Sequence, residues 1–264
     1  EFVLLPRNQT VGYFGHHDNS RMYGHGMTTL MLTEMLGMGA TIDQNHRMTA
    51  ALTAALRVIL AAQAVAKPPA MQGGWRYTPA SRESDLSVSV WQIMALRSAK
   101  NNGLEVPDDA IGQAIGFLKR CFSSLINEDG VPIDRAAGFT YTPGMQQPTF
   151  AMTAAGMLAM QTCGLYESPV VAAAGRWLLE KPPQPDERYF FYGLYYYAQS
   201  LHQLGDEAAE AARKNVARLL LPMQGDDGTW SGQGEERNIG TVYATALAIL
   251  SLTVRYHYLP IYQR

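Results

Sequence analysis

Apolar residues along this chain recur at three- and four-residue spacing in long stretches, and Gly- and Pro-containing polar segments separate those stretches. That is the spacing of amphipathic helices. Residues 1–20, with Gly12, Gly15 and a polar cluster, read as loop, and helical periodicity begins near Tyr23 and runs to Met38. Asp43 or Asn45 caps a second helix, whose stripe is Met48, Ala51, Leu52, Ala55, Leu56, Ile59 and Leu60. A third starts at Ser84 or Asp85 and continues through Leu86, Val90, Ile93 and Met94 to Asn102-Gly103. Pro107-Asp108-Asp109 opens its partner, with Ile111, Ile115, Leu118 and Phe122 as the buried stripe.

After a long turn over 129–148, helices are predicted over Thr149–Cys163, Ser168–Glu180, Tyr189–Leu204, Asp206–Met223 and Ile239 to about Tyr256. The string Leu86-Ser87-Val88-Ser89-Val90 alternates as a strand would, but helical flanks assign it to a helix. Four helices end near a glycine, at Gly39, Gly103, Gly164 and Gly205. A glycine- or proline-rich turn follows each partner: Gly73-Gly74-Trp75, Asp129-Gly130-Val131, Pro182-Pro183-Gln184-Pro185 and Gly228-Thr229-Trp230. A helix pair recurring every ~50 residues cannot bury its apolar face alone and must stack on its neighbours. The expected fold is therefore all-α, one repeat domain over residues 1–264 built of about five hairpins with inner and outer helices, the last helix lacking its partner. A chain that opens on Glu1 rather than Met reads as a piece of a longer one.

Composition narrows the function classes. Hydrophobic residues make up 47% and charged residues 17%, so helices are buried on more than one side. A net charge of −2 offers no broad basic face for nucleic acid. The longest apolar run, Ala50 to Ala66, is interrupted by Arg57 and Gln63 and does not make a membrane span. Cys121 and Cys163, two thiols in helical patterns, read as small buried residues. No cofactor and no metal are implied: His16, His17, Asp18 and His25 lack a ligand spacing and read as polar loop histidines.

One motif carries a resemblance. Arg218-Leu219-Leu220, Gln224 and Gly228-Thr229-Trp230 form a helix end, a glutamine and a Gly-x-Trp turn; Ile59, Gln63 and Gly73-Gly74-Trp75 repeat it. Leu118, Phe122 and Gly130 form a degenerate third copy, with Pro132 at the Trp position. The pattern resembles the Gln-Trp repeat of the squalene–hopene cyclase and protein prenyltransferase β-subunit superfamily. That resemblance implies an α/α toroid or open arc whose inner helices surround a cavity. The chain departs from the relatives' catalytic motifs. It has no Asp-x-Asp-Asp acid, no Asp two residues before either cysteine as in the zinc site, and no Cys-Gly-Glu-Gln thioester.

Candidate chemistry follows from that architecture. Parallel inner helices would gather their N-termini at one mouth, where Arg21, Arg82, Arg188 and Arg237 precede four of the starts and could hold an anion. Glu83, Glu187, Glu235 and Glu236 stand close to three of these arginines, so paired and solvated charges explain the same pattern. Tyr23, Trp91, Tyr192, Tyr196 and Tyr243 are the aromatic candidates for a ligand cavity, or rings that fill the centre. Asp85 and His25, the latter between Gly24 and Gly26, are the catalytic candidates; Asp85 also stands where an N-cap is expected, and a cap carboxylate is a poor acid. The leading reading is a terpene-cyclase-like protein that binds an apolar or isoprenoid-like molecule, or a protein partner, without the known catalytic motifs. Alternatives are an active isoprenoid cyclase or transferase with an atypical acid, and a structural interaction module.

Overall fold

A computed structural model of the chain describes residues 1–256 and 260–262. Among these residues the regular structure is helical: α1 (Arg21–Glu34), α2 (Ile42–Ala64), α3 (Leu86–Asn101), α4 (Asp108–Arg120), α5 (Phe150–Thr162), α6 (Pro169–Glu180), α7 (Phe190–Leu204), α8 (Asp206–Leu220) and α9 (Thr241–Leu252), with isolated β-bridges but no strand. The fold class is all-α, and the strand-like string Leu86–Val90 lies inside α3. Its alternation is an accident of burial: all five residues are buried, so no face needs to be polar, and Ser87 and Ser89 use their hydroxyls in hydrogen bonds. None of the described helices is long and apolar enough to cross a membrane.

Caps follow the sequence where a short polar side chain precedes an apolar run. Asp85, Thr149 and Ser168 each accept a backbone N–H in the first turn of α3, α5 and α6. Other expected boundaries move, among them the last, since α9 runs Thr241–Leu252 rather than Ile239 to about Tyr256. Thr41, not Asp43 or Asn45, caps α2 by accepting from Gln44 N–H; Asp43 instead pairs with Arg47 one turn on, and Asn45 accepts from Gly39 N–H. α1 stops at Glu34, ahead of the end expected at Met38-Gly39, and Gly37 takes the left-handed conformation at φ 84° beyond it. α8 gives way at Leu220 to a 3₁₀ turn over Leu221–Met223, where Pro222 removes a helical donor.

The helices fall in two compact units, Glu1–Cys121 with Thr142–Gly144, and Phe122–Tyr141 with Met145–Arg264. In the first, α1 packs on α3, α2 lies against α1, and α4 lies against α3. Gly26 permits the α1–α3 approach, since a Cβ there would stand 2.8 Å from Trp91 Cβ. Gln92 on α3 reaches back 70 residues to donate to Met22 O at 2.8 Å. In the second unit α7 packs on α5, α8 and α9, and α6 lies against α5. Every residue of α5 is buried, and on α7 only His202 and Leu204 are not; α4 and α6, by contrast, bury a single stripe. Within the second unit, fully buried α5 and α7 beside one-sided α6 match the inner and outer helices expected from the sequence, whereas α1 and α9, also expected inside, bury only part of their residues.

The recurring turns have one internal geometry. In the first unit Trp75 is buried; its indole N–H donates to Ile59 O at 2.8 Å and its backbone N–H to the Ser89 hydroxyl, 14 residues on, at 2.9 Å. In the second unit Trp230 donates to Leu220 O at 2.8 Å and, 15 residues on, to the Thr245 hydroxyl at 3.0 Å. The degenerate copy is filled differently from the expectation. Pro132 sits in a turn bridged to Ile126, and the aromatic position belongs to Phe139, which is wholly buried and donates its N–H to the Thr153 hydroxyl, 14 residues on, at 3.1 Å. Gly156 leaves room for that ring, because a Cβ there would come 2.5 Å from Phe139 Cγ. The two glutamines differ in depth. Gln63 is buried and donates to both Gly73 O (3.0 Å) and Ala110 O (2.9 Å), whereas Gln224 is exposed and closes only its own turn on Gly228 O at 2.9 Å.

Candidate functional site

In the first unit, Asp85 is wholly buried at the start of α3. Its Oδ1 accepts from Val88 N–H at 2.8 Å, the bond that makes it the cap, and Arg76 Nε lies 3.7 Å from Oδ2. Arg76 also pairs with Glu83 and lies over the Tyr77 ring, 5.3 Å from its centroid. The arginine that faces Asp85 is thus Arg76, which the sequence reading passed over; Arg82 is exposed and reaches Ala66 O at 3.4 Å. Asp85→Ala removes the cap and should lower stability by ~1 kcal/mol, whereas Asp85→Asn, which can still cap, should leave the urea midpoint nearly unchanged. Equal losses in the two variants would show that the carboxylate charge, not the cap, is what matters.

His25 is buried on α1. Its Nδ1 accepts from Phe14 N–H at 3.3 Å, and its Nε2–H donates to Ala55 O at 3.2 Å. Burial lowers its pKa to about 4, partly opposed by the bond to Ala55. A neutral imidazole with both nitrogens bonded to backbone joins α1, α2 and the N-terminal segment. Of its neighbours in sequence, His17 bonds the Thr10 hydroxyl and Asp18 accepts from Ser20. Tyr23 is half-buried, donates to Ser87 Oγ at 2.8 Å, and lies beside Tyr77 with ring centroids 6.1 Å apart. Trp91 follows Ser87 one turn along α3 and is 7% exposed.

The second unit brings together Tyr192, Tyr196 and Tyr243. Tyr192 and Tyr196, one turn apart on α7, meet edge to face at 4.8 Å, and Tyr196 donates to the Tyr192 oxygen at 3.4 Å. Tyr196 is fully buried and Tyr192 is 7% exposed. Tyr243, on the first turn of α9, is half-buried and donates to Glu236 Oε1 at 3.0 Å. Burial pushes the Tyr196 phenol up; burial, then the Glu236 carboxylate, pushes up that of Tyr243, so both remain neutral.

Glu236 corrects the sequence reading most. Placed among solvated loop charges by its neighbours, it is wholly buried. Its Oε2 accepts from Phe191 N–H at 2.9 Å and its Oε1 from Tyr192 N–H at 3.0 Å, so a residue 44–45 positions downstream takes up the orphan donors at the start of α7. The helix macrodipole favours a negative charge there. No local sequence signal announces a cap supplied from that distance.

The four candidate anion-binding arginines are all exposed, Arg21 and Arg82 in the first unit and Arg188 and Arg237 in the second. Arg188 lies 3.5 Å from Glu235 and over the Tyr189 ring; Arg21 bonds Asn19 Oδ1 at 3.2 Å. The second unit also holds a cavity of about 640 Å³ bounded by α7, α8 and α9, with Ala198, His202, Arg213, Val216, Ser251 and Tyr256 in its wall. None of the predicted ligand residues lines it.

The fold has solved counterparts. It is similar to type II terpene cyclase MstE from Scytonema, at 14% identity and a TM-score of 0.57, covering 87% of this chain and 62% of that one. A variant of MstE in complex with merosterolic acid A, its product, aligns at 14% identity with a TM-score of 0.59, over 96% of this chain and 71% of the other. A protein from Actinoplanes aligns at 16% identity with a TM-score of 0.53, over 96% and 72%. These likenesses establish a terpene-cyclase-like all-α fold, and the chain spans 62% of the length of the apo MstE chain it resembles. No protein-family model and no curated protein matches the sequence.

Proposed function

We propose that this protein uses a terpene-cyclase-like scaffold to bind an apolar, isoprenoid-like molecule rather than to transform one with a proton from Asp85 or His25. The fold likeness carries the reading: among solved structures of this fold are cyclase chains holding a geranylgeranyl dihydroxybenzoate substrate or merosterolic acid A. Support from this chain's own residues is chemical. Trp91 on α3 in the first unit and Tyr192 on α7 in the second are buried to all but 7% of their surface, and aromatic rings of this kind pack against prenyl chains. Proton transfer is disfavoured because His25 has both nitrogens committed to backbone and Asp85 is engaged as a cap beside Arg76. A protein partner is the competing occupant.

The test is extraction of the purified protein followed by mass spectrometry, with melting curves in the presence of isoprenoids of fifteen to twenty carbons. The expected outcome is a co-purifying prenyl lipid and a rise in melting temperature of ~5 °C or more at about a hundredfold excess over Kd. Finding neither lipid nor shift would reject ligand binding and favour the interaction-module reading.

A further inference from the structure

The Glu236–Tyr243 pair has a chemical polarity. A phenol has one proton to give, and Tyr243 gives it to Glu236 Oε1 at 3.0 Å. The oxygen of Tyr243 therefore offers lone pairs to whatever reaches it. Glu236 is fixed in turn by two backbone N–H groups of α7, from Phe191 and Tyr192, so it cannot swing away to release the phenol without unbonding the helix start. The same carboxylate anchors the backbone of Tyr192, whose ring lies against Tyr196 on the next turn. One buried side chain thus holds both α9's phenol and the first turn of α7, and places a negative charge behind them.

We propose that Glu236 is a specificity-setting positioning residue, which by holding the Tyr243 proton makes that phenol a hydrogen-bond acceptor and selects ligands whose polar end donates. The inference rests on the isoprenoid-binding reading and refines it to a chemical class: a prenyl alcohol or phenol, in preference to a prenyl carboxylate or diphosphate. A carboxylate or diphosphate would bring lone pairs against lone pairs, next to a buried negative charge. A hydroxyl would complete a chain in which the ligand donates to Tyr243 and Tyr243 to Glu236. Desolvation of an unmatched polar end is what makes such discrimination large in a site of low polarity. In the second unit the exposed Arg188 lies 3.5 Å from Glu235, the neighbour of Glu236.

The test measures Kd for farnesol, farnesoic acid and farnesyl diphosphate with wild type, Tyr243→Phe and Glu236→Gln. Wild type should bind farnesol at least about tenfold tighter than either anion. Tyr243→Phe removes only the hydroxyl; it should weaken farnesol about tenfold and leave farnesoic acid nearly unchanged. Glu236→Gln can donate to Tyr243 or leave its proton free, and should narrow or invert the preference between alcohol and acid, an effect that loosened packing alone would not produce. Binding of all three probes with the anions preferred, or an alcohol preference that survives in Tyr243→Phe, overturns this inference and leaves the binding reading standing. Failure of every probe to bind wild type defeats both. If Glu236→Gln does not fold, Tyr243→Phe alone decides between these outcomes.

Discussion

Trp75→Ala should destabilise the first unit by ~3–5 kcal/mol, a large part of the stability of an ordinary domain. The ring is 1% exposed, its indole N–H bonds Ile59 O, and its backbone is held by Ser89, so removal leaves a void and takes away the second hydrogen bond of a helical carbonyl. Trp75→Phe should lose only ~1–2 kcal/mol. The protein itself supplies the precedent, since Phe139 occupies the equivalent place in another turn with its N–H bonded to Thr153 in the same manner. Urea unfolding followed by circular dichroism distinguishes the two. If alanine and phenylalanine variants lose the same amount, the ring's packing contributes nothing and the hydrogen bond to Ile59 carries the whole effect. If neither variant is destabilised, the recurring turn is not the element that locks each helix pair.

Acidification should weaken the fold through His25. An imidazole has a pKa of 6.5 in the unfolded chain, and burial takes it to about 4 in the native protein. Between those values the unfolded chain binds a proton that the native protein refuses, so stability rises with pH across that window. The contribution is fully present above pH 6.5 and is lost as pH falls towards 4, amounting to ~3 kcal/mol over the interval. His25→Gln retains an acceptor for Phe14 N–H and a donor for Ala55 O but does not titrate in this range. The urea midpoint of wild type should therefore fall more steeply between pH 6.5 and 4 than that of the glutamine variant. Parallel slopes would place the imidazole in contact with water and remove the basis for its structural role.

The helices and most of their ends were legible because the signals are local. A cap bonds an N–H two or three residues on, as Asp85, Thr149 and Ser168 do, and a buried stripe repeats within a single helix. Where local signals compete, the sequence misleads: Thr41, Asp43 and Asn45 are all good caps within five residues, and which one closes α2 depends on Asp43 finding Arg47 and Asn45 finding Gly39. The Phe139 copy escaped notice because the intervening turn is longer than its counterparts. Only the bond to Thr153, formed in three dimensions, reveals that Phe139 does the work of a tryptophan.

The candidate site was legible as residue types and not as roles. Tyr192, Tyr196 and Tyr243 were singled out for their rings, and the fold does gather them. Asp85, a catalytic candidate that also stands at a cap position, closes the start of α3; Arg76 beside it carries no local signal, and Glu236, which reads as a solvated loop charge, is buried and accepts from Tyr243. Charges in loops look alike in sequence, because burial is a property of what packs over them.

The sequence by itself determined that this is an all-helical protein of repeated pairs, since periodicity, caps and recurring turns act over a few residues and need no partner. Tertiary structure alone decided that Glu236 is buried 45 residues from the helix it caps, that His25 is locked between backbone groups, and that Tyr243 gives its proton inward. Those outcomes depend on groups distant in the chain competing for the same hydrogen bonds in a space from which water has been excluded.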